Sequence, residues 1–195
     1  DEALTTQVHA RTGIRVDTSE LGHLASRMDE EIQRLTAAIH ALAGKPFNLN
    51  SPQQLGKILF EDLGLPAPVK AGKGKHISTA ADVLDVLAEE HEIAAKVLEY
   101  RQVAKLKGTY VDALPALIRS STGRVHTTFH QTGAATGRLS SSNPNLQNIP
   151  ITSELGRRVR QGFVSQPGGC VLSADYSQVE LRLLAHLAGD PVLRA

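Results

Sequence analysis

The stretch DTSELGHLASRMDEEIQRLTAAIHAL, residues 17–42, carries the clearest periodic pattern of this 195-residue sequence. Asp17 and Glu20 have the spacing of a capping box, in which a polar side chain and a carboxylate three residues later start a helix. Apolar residues then recur every three or four positions, as on one helix face: Leu21, Leu24, Met28, Ile32, Leu35 and Ile39. Gly44 and Pro46 are helix-ending residues. The pattern predicts one amphipathic helix that runs to about Leu42.

Similar signals extend the helical prediction outward. Upstream, residues 13–16 alternate briefly and predict a short extended segment. Downstream, Ser51 can cap a short helix whose first position is Pro52, a residue that suits a helix start. Gly64 and Pro66 are expected to end this helix.

A basic segment and a second helical stretch follow. Residues 66–77, PAPVKAGKGKHI, combine lysines with glycines and prolines and predict a mobile basic loop. From Ser78 or Thr79 to about Tyr110, apolar residues again recur at helical spacing. His91–Glu92 interrupts the pattern, so two successive helices are expected.

The second half of the chain changes to strand spacing. Residues 124–130, RVHTTFH, alternate and predict a strand with one face inward. Residues 131–150 are rich in Gly, Ser, Thr, Asn and Pro and predict an ordered loop. Two more strands are expected at residues 162–164 and 171–174, on either side of a turn at residues 167–169.

A helix is expected after the last strand, from about Gln178 to Ala188. Three leucines would pack it: Leu183, Leu184 and Leu187. Because helices fill one half of the chain and strands enter only in the other, the predicted fold class is α+β. The boundary is expected near residue 118, between a helical module and a strand-containing one.

Charge is unevenly distributed, although the net charge is only +1. Residues 1–99 carry 10 Lys or Arg against 15 Asp or Glu, a balance of −5, whereas residues 100–182 carry 10 against 4, a balance of +6. A basic half suggests a polyanionic partner, because Lys and Arg that bind phosphates release condensed counterions. A solvated basic face is the alternative.

Composition excludes several classes of protein. A hydrophobic content of 41% and a charged content of 21% are ordinary for a globular chain. No apolar run approaches the roughly 18 residues of a membrane span, and the first residues lack a signal-peptide layout. The single cysteine, Cys170, cannot form an internal disulfide, which fits a reducing, cytoplasmic compartment. Beside a predicted strand, we expect Cys170 to serve packing.

Asp175 is the first candidate for chemistry, because it follows the predicted strand at residues 171–174. Mg²⁺ is usually held by one or two carboxylates together with substrate phosphates, so an aspartate fixed at a strand end can take part in such a site. From spacing alone, a role in capping or solvating the turn fits Asp175 at least as well. Ser177 and Glu180 likewise have capping-box spacing, which favours a helix-capping role for Glu180.

The sequence alone does not assign a functional role to several other polar residues. His126 and His130 lie two alternate strand positions apart and, without an evident third ligand, are interpreted as solvated. Arg157, Arg158 and Arg160 are either duplex contacts or a solvated face.

Four segments resemble family A DNA polymerases, the bacterial DNA polymerase I type. DYSQVELR, residues 175–182, is similar to the first catalytic motif of the family, and TGRLSSSNPNLQNIP, residues 136–150, to its primer–template contact segment. FNLNSPQQLGKILFEDLGLP, residues 47–66, and YRQVAKLKGTY, residues 100–110, resemble its thumb. The order and separation of these segments also agree with the family.

The resemblance implies a helical thumb at residues 1–118, with its tip at about residues 66–77. A partial palm would follow at residues 119–195, with an antiparallel sheet and a packed helix. We expect residues 119–195 to be only marginally stable when isolated.

The resemblance also implies catalytic residues. Asp175 looks like the aspartate that binds both catalytic metal ions, with the backbone carbonyl of Tyr176 as a further ligand. Glu180 looks like the steric gate that crowds the sugar 2′ position and so favours deoxynucleotides. Tyr176, Ser177, Gln178 and Glu180 would together bind the nucleotide.

In the palm, the implied DNA contacts lie on the segment at residues 136–150. Arg138 looks like the arginine that reaches the minor groove near the primer terminus, where every base pair presents an N3 or O2 acceptor. Asn145, Gln147 and Asn148 would be further donors; without the resemblance they are turn residues around Pro144.

In the thumb, Lys105, Lys107 and Tyr110 resemble contacts to the duplex backbone, with a solvated helix face as the alternative for the lysines. Lysines of the thumb tip would also touch phosphates: Lys70, Lys73 and Lys75.

The implied function is template-directed DNA synthesis by a larger enzyme, which transfers dNTPs to a primer 3′ end. Two Mg²⁺ ions, primer–template DNA and dNTP are the implied cofactors and partners, without a membrane partner, in a monomeric protein of the bacterial cytoplasm and nucleoid. The sequence has no match to the family's fingers helix or second catalytic aspartate. We therefore expect this chain alone to be inactive, and a non-catalytic primer–template-binding module is the alternative.

Overall fold

A computed structural model describes residues 11–67 and 78–194, and its longest element is helix α1, Thr18–Ala43. The Oδ1 atom of Asp17 caps this helix by accepting the backbone N–H groups of Ser19 and Glu20, each at 3.0 Å. At the other end, Gly44 adopts a left-handed conformation with φ of 71°, which suits glycine. Both predicted ends of the helix are confirmed.

The predicted helices of the first half are present, although two of them continue as π-helix. Helix α2, Pro52–Gly56, starts at Ser51, whose Oγ accepts the N–H of Gln54 at 3.3 Å. The later stretch is divided at His91, as predicted. Helix α2 continues as the π-helical segment Lys57–Asp62. The later stretch consists of α3 Ala81–Ala88, α4 Glu92–Leu106, the π-helical segment Lys107–Val111 and α5 Ala113–Ala116.

In the part of the chain that the structure describes, six short strands form three antiparallel pairs, β1 with β6, β2 with β3 and β4 with β5. Their bounds are β1 Arg15–Val16, β2 Ile118–Arg119, β3 Arg124–Val125, β4 Thr128–His130, β5 Ser140–Ser142 and β6 Phe163–Val164. A bridge between Ile14 and Val125 joins the first two pairs. The α+β class is confirmed. The single strand predicted at residues 124–130 is interrupted, and the predicted loop at residues 131–150 contains β5.

One hydrophobic core lies within the unit Asp1–Val164. Helix α1 packs most extensively against α4, and helix α6, Glu154–Gln161, contacts both. Val125 brings the strands into this core, since it is buried beside the half-buried Ile14 and Ile118. The largest fully buried side chains are Leu21, Met28, Leu35, Ile39, Leu55, Leu59, Leu84, Val97, Val111, Leu114, Val125 and Val159.

The second unit, Ser165–Ala195, differs from its prediction. The turn at residues 167–169 forms, with the N–H of Gly169 bonded to the carbonyl of Gln166, but residues 171–174 form no strand. A strand needs a hydrogen-bonding neighbour, and no described strand pairs with this segment. Helix α7, Val179–Ala188, and helix α8, Pro191–Arg194, do form.

The expected packing of this unit is wrong for several side chains. Leu183, Leu184 and Leu187 are exposed, and within α7 only Ala185 is buried. Cys170 is exposed rather than packed.

The chain divides into two compact units between residues 164 and 165. Strand β2 spans the expected boundary and pairs with β3 on its far side. A thumb–palm boundary near residue 118 stays a prediction. Among the described helices, none has the length and apolar character that crossing a membrane requires.

Candidate nucleic-acid interface

Gln147 holds together the segment between β4 and α6. Its Oε1 accepts the N–H of Ser141 at 3.1 Å, and its Nε2 donates to the carbonyl of Leu139 at 2.8 Å. Both ends of the amide are therefore used within the protein, so the side chain predicted to be a DNA donor fixes the course of the segment on either side of Ser140.

Further hydrogen bonds rest on Ser141 and Thr127, which are both buried. The Oγ of Ser141 accepts the N–H of Leu146 at 3.1 Å, and Asn145 accepts the N–H of Gln147 at 3.0 Å. Thr127 donates to the carbonyls of Ser142 and Pro144, at 3.1 and 2.7 Å. The segment is an ordered platform, which agrees with the predicted ordered loop.

Arg138 and Asn148 are exposed on this platform. Gly137, directly before Arg138, has φ of 75° and donates its N–H to Ala134, so a tight turn leads into the arginine. Asn148 makes no hydrogen bond with another described residue. Asn145 and Gln147 are exposed as well, but both accept or donate hydrogen bonds within the platform.

The three thumb residues differ from one another. Lys105 is exposed and makes no ion pair with the part of the chain that the structure describes. Lys107 is 16% exposed, and its Nζ lies 2.8 Å from Asp112 and 3.3 Å from Asp29. Hydrogen bonding to Asp112 raises the pKa of Lys107.

Tyr110 is a core residue, 4% exposed, and burial raises its pKa. A phenol ring buried to this extent supports the π-helical segment that carries it. Lys70, Lys73 and Lys75 lie outside the described residues.

The segment around Asp175 presents its side chains outward. Asp175, Tyr176, Ser177, Gln178 and Glu180 are all exposed. The predicted capping box is wrong, because the N-cap of α7 is Gln178, with φ of 52° and no side-chain cap.

Arg182 organises the start of this helix, a role that its sequence position did not indicate. Its Nε donates to the carbonyl of Ser177 at 2.9 Å. The side chain thus bridges the turn that precedes α7.

The donors of the Asp175 segment fit a hard divalent cation in part. A carboxylate and the carbonyl of Tyr176 are oxygen ligands, which Mg²⁺ prefers, and substrate phosphates commonly complete its coordination. No group of three or more His, Cys, Asp or Glu residues suitable for a metal occurs in the described ranges.

Several side chains occupy positions that local patterns could not predict. His126 is buried, not solvated, and its Nε2 lies 2.8 Å from the Oγ1 of Thr122. His130 is exposed, with its Nε2 2.7 Å from the Oγ of Ser142. Arg101 is partly buried and donates to Thr79 Oγ1 at 3.2 Å, and this burial lowers its pKa.

The arginines of α6 are partly engaged within the protein. Arg157 donates to the carbonyl of Thr152 at 2.7 Å, and Arg158 pairs with Glu154 at 3.0 Å, whereas Arg160 is exposed. Arg158 also borders a cleft of about 370 Å³ among α1, α4 and α6, which is lined by none of the residues that the family resemblance assigns to catalysis or DNA binding.

Comparison with known proteins agrees with these features. The sequence profile of DNA polymerase family A matches residues 18–195. The chain is 54% identical over 179 residues to the thermostable DNA polymerase I of Thermus aquaticus, covering 92% of this chain and 22% of that protein. It is 50% identical over 188 residues to DNA polymerase I of Chloroflexus aurantiacus, covering 94% of this chain and 20% of that protein.

A solved structure is also similar, the POL domain of Pol1 from M. smegmatis in complex with DNA primer–template and dNTP. It matches with a TM-score of 0.78 and 44% identity over 92% of this chain and 31% of that one. The chain spans about a fifth of the length of the curated relatives that it matches.

Proposed function

This chain belongs to DNA polymerase family A, and we propose that it forms the part of a template-directed DNA polymerase that grips primer–template DNA and supplies one metal-binding aspartate. The observation that carries the proposal is the platform held by Gln147, which leaves Arg138 and Asn148 exposed. The primer–template and dNTP bound by the similar M. smegmatis domain support it.

The platform suits recognition of a base pair without reading its sequence. Every base pair presents acceptors in the minor groove, so a guanidinium held there can test pair geometry. The hydrogen bonds of Gln147 and Thr127 fix the backbone near Arg138, which lowers the entropy that the arginine loses on binding.

Asp175 and the carbonyl of Tyr176 would hold the Mg²⁺ of the intact enzyme. When bound, two such ions stabilise the charge that develops as the primer 3′ oxygen attacks the dNTP and pyrophosphate leaves. Within this chain, Asp175 offers its carboxylate to a cation, and Arg182 steadies the turn before α7 through the carbonyl of Ser177. Glu180, in the first turn of α7, would crowd the sugar 2′ position and exclude ribonucleotides.

Thumb contacts to the duplex are part of the same proposal. Of Lys105 and Lys107, Lys105 is the better placed for them, because it is exposed and carries no ion pair among the described residues. Lys73 and Lys75 would add phosphate contacts. We place the intact protein, as a monomer, in the bacterial cytoplasm on nucleoid DNA.

Binding and synthesis can be separated by two variants of the intact protein. We expect Arg138→Ala to weaken binding of a fluorescently labelled primer–template in an anisotropy titration. Asp175→Asn should leave that binding within about twofold but slow primer extension by about 100-fold or more, because a metal ligand contributes several kcal/mol to transition-state stabilisation.

Two results would contradict the proposal. If Arg138→Ala binds as tightly as the unmodified protein at every salt concentration, the platform is not the DNA grip. If Asp175→Asn extends primers at the normal rate, this aspartate is not a metal ligand.

A further inference from the structure

Three arginines lie opposite one another across neighbouring strands. Strand β2 pairs with β3 so that Arg119 is opposite Arg124. The antiparallel bridge between Ile14 and Val125 has N···O distances of 2.8 and 2.9 Å. It places Arg15 opposite Arg124 on the edge of β3 that faces away from β2. Arg15, Arg124 and Arg119 thus form one cross-strand row, which we call the arginine row.

The adjacent row shows which way the arginines face. Ile14, Val125 and Ile118 are opposite one another in the same register and pack in the hydrophobic core. Because successive residues of a strand point to opposite faces, the arginine row lies on the face turned away from the core. The exposure of Arg15 and Arg119 agrees with this assignment.

The row places three guanidinium groups side by side on one face of the paired strands. Within the described part of the chain, the side chains of Arg15 and Arg119 make no hydrogen bond or ion pair. Like charges directly opposite on neighbouring strands destabilise a sheet. A bound anion would remove this repulsion.

We propose that the arginine row binds the phosphodiester backbone of nucleic acid, at a site additional to the platform of Arg138 and the thumb lysines. Guanidinium groups bind phosphate oxygens through two parallel hydrogen bonds. Two strand spacings extend the row over about 10 Å, the axial length of about three phosphates of one DNA strand. This proposal rests on the proposed function, because it assumes that the intact protein binds DNA.

The salt dependence of DNA affinity tests the arginine row directly. The affinity of the intact protein for a labelled duplex is measured by anisotropy between 50 and 200 mM salt, with the double variant Arg15→Gln and Arg119→Gln. We expect the slope of log affinity against log salt to fall by about 2, because each lost phosphate contact lowers it by about 0.9. Over this range, the variant should lose about tenfold less affinity than the unmodified protein.

Two control variants separate this site from net charge and from folding. Arg27→Gln with Arg34→Gln removes the same charge from exposed positions on α1 and should keep the original slope. Arg15→Lys with Arg119→Lys retains the charge and should also keep the slope, to within about 0.5. If the double Gln variant unfolds, the single variant Arg119→Gln should still lower the slope by about 1.

The inference and the proposed function fail in different ways. An unchanged slope in folded Gln variants would overturn the arginine row as a phosphate site and would leave the Arg138 experiment intact. A slope that falls equally in the Arg27 and Arg34 control would also overturn it, since only net charge would then matter. Absence of duplex binding by the unmodified protein would instead contradict the proposed function.

Discussion

Lys105 and Lys107 show how neighbouring residues of one type can take different roles. Both lie near the junction of α4 and the following π-helical segment. Lys107 is held between Asp29 of α1 and Asp112, so its charge is largely compensated within the protein. Lys105 is exposed and faces no such carboxylate among the described residues. The sequence alone assigns the same DNA contact to both.

The structure predicts that removing the two lysine side chains affects different properties of the protein. Lys105→Ala should weaken duplex binding by the intact protein and leave its stability unchanged. Lys107→Ala should lower the free energy of unfolding by about 1 kcal/mol, because it removes the ion pairs with Asp29 and Asp112. It should weaken binding less, because those carboxylates already compensate the charge of Lys107. Anisotropy and urea unfolding of both variants check this, and a larger binding loss for Lys107→Ala would contradict it.

The effect of pH on the Lys107 ion pairs has a defined sign. The partners of Lys107 raise its pKa above the ordinary 10.5, so the folded state holds the proton more tightly than the unfolded state. The resulting stabilisation is complete below pH 10.5 and declines as the pH rises through the folded-state pKa. The difference in free energy of unfolding between Lys107→Ala and the unmodified protein should therefore not vary between pH 7 and 9.

At the scale of elements, the glycine at the start of α6 sets how closely that helix approaches the preceding chain. A Cβ atom added to Gly156 would lie 2.8 Å from the Cβ of Pro150 and closer still to its carbonyl oxygen. Backbone cannot move aside as a flexible side chain can. Gly22, on the exposed face of α1, has no atom within 4 Å of the same added position.

The same substitution should therefore have opposite signs at the two glycines. Gly156→Ala should destabilise the protein by about 1–3 kcal/mol, because the added methyl group overpacks the contact with Pro150. Gly22→Ala should stabilise it by up to about 1 kcal/mol through helix propensity. Thermal unfolding of the two variants measures both effects, and a neutral Gly156→Ala would show that α6 can shift at little cost.

Local signals explain which elements the sequence predicts well. The cap at Asp17 and the left-handed Gly44 act within one helical turn, so α1 has its predicted ends. A strand depends on a distant partner, so the strand predicted at residues 171–174 from their apolar pattern does not form where no described strand pairs with it. The roles of His126 and Gln147 likewise follow from contacts with other segments rather than from neighbouring residues.

For the whole molecule, the core and the motif at residues 175–182 differ in location. The hydrophobic core belongs to the unit that ends at Val164, whereas Asp175 belongs to Ser165–Ala195, where most side chains are exposed. The motif that identifies the chemistry is thus in the part with the fewest buried contacts. The α+β class was predictable from the sequence, but this division was not.

Hydrogen exchange of this 195-residue chain should reveal the division. Amides of α1 and α4 should be strongly protected from exchange, because the buried side chains of these helices form much of the core. Amides of α7 should exchange at least about 100-fold faster, since opening that helix exposes little apolar surface beyond what is already exposed. Equal protection of α1 and α7, measured by mass spectrometry, would contradict this division of stability.

The exposed thiol of Cys170 offers a practical consequence. It is the sole cysteine of the sequence and lies five residues before Asp175. On this 195-residue chain, a maleimide dye would attach at this one position without any engineered substitution. Its emission would then test whether adding a nucleoside triphosphate changes the surroundings of Asp175, independently of the DNA label used to follow binding.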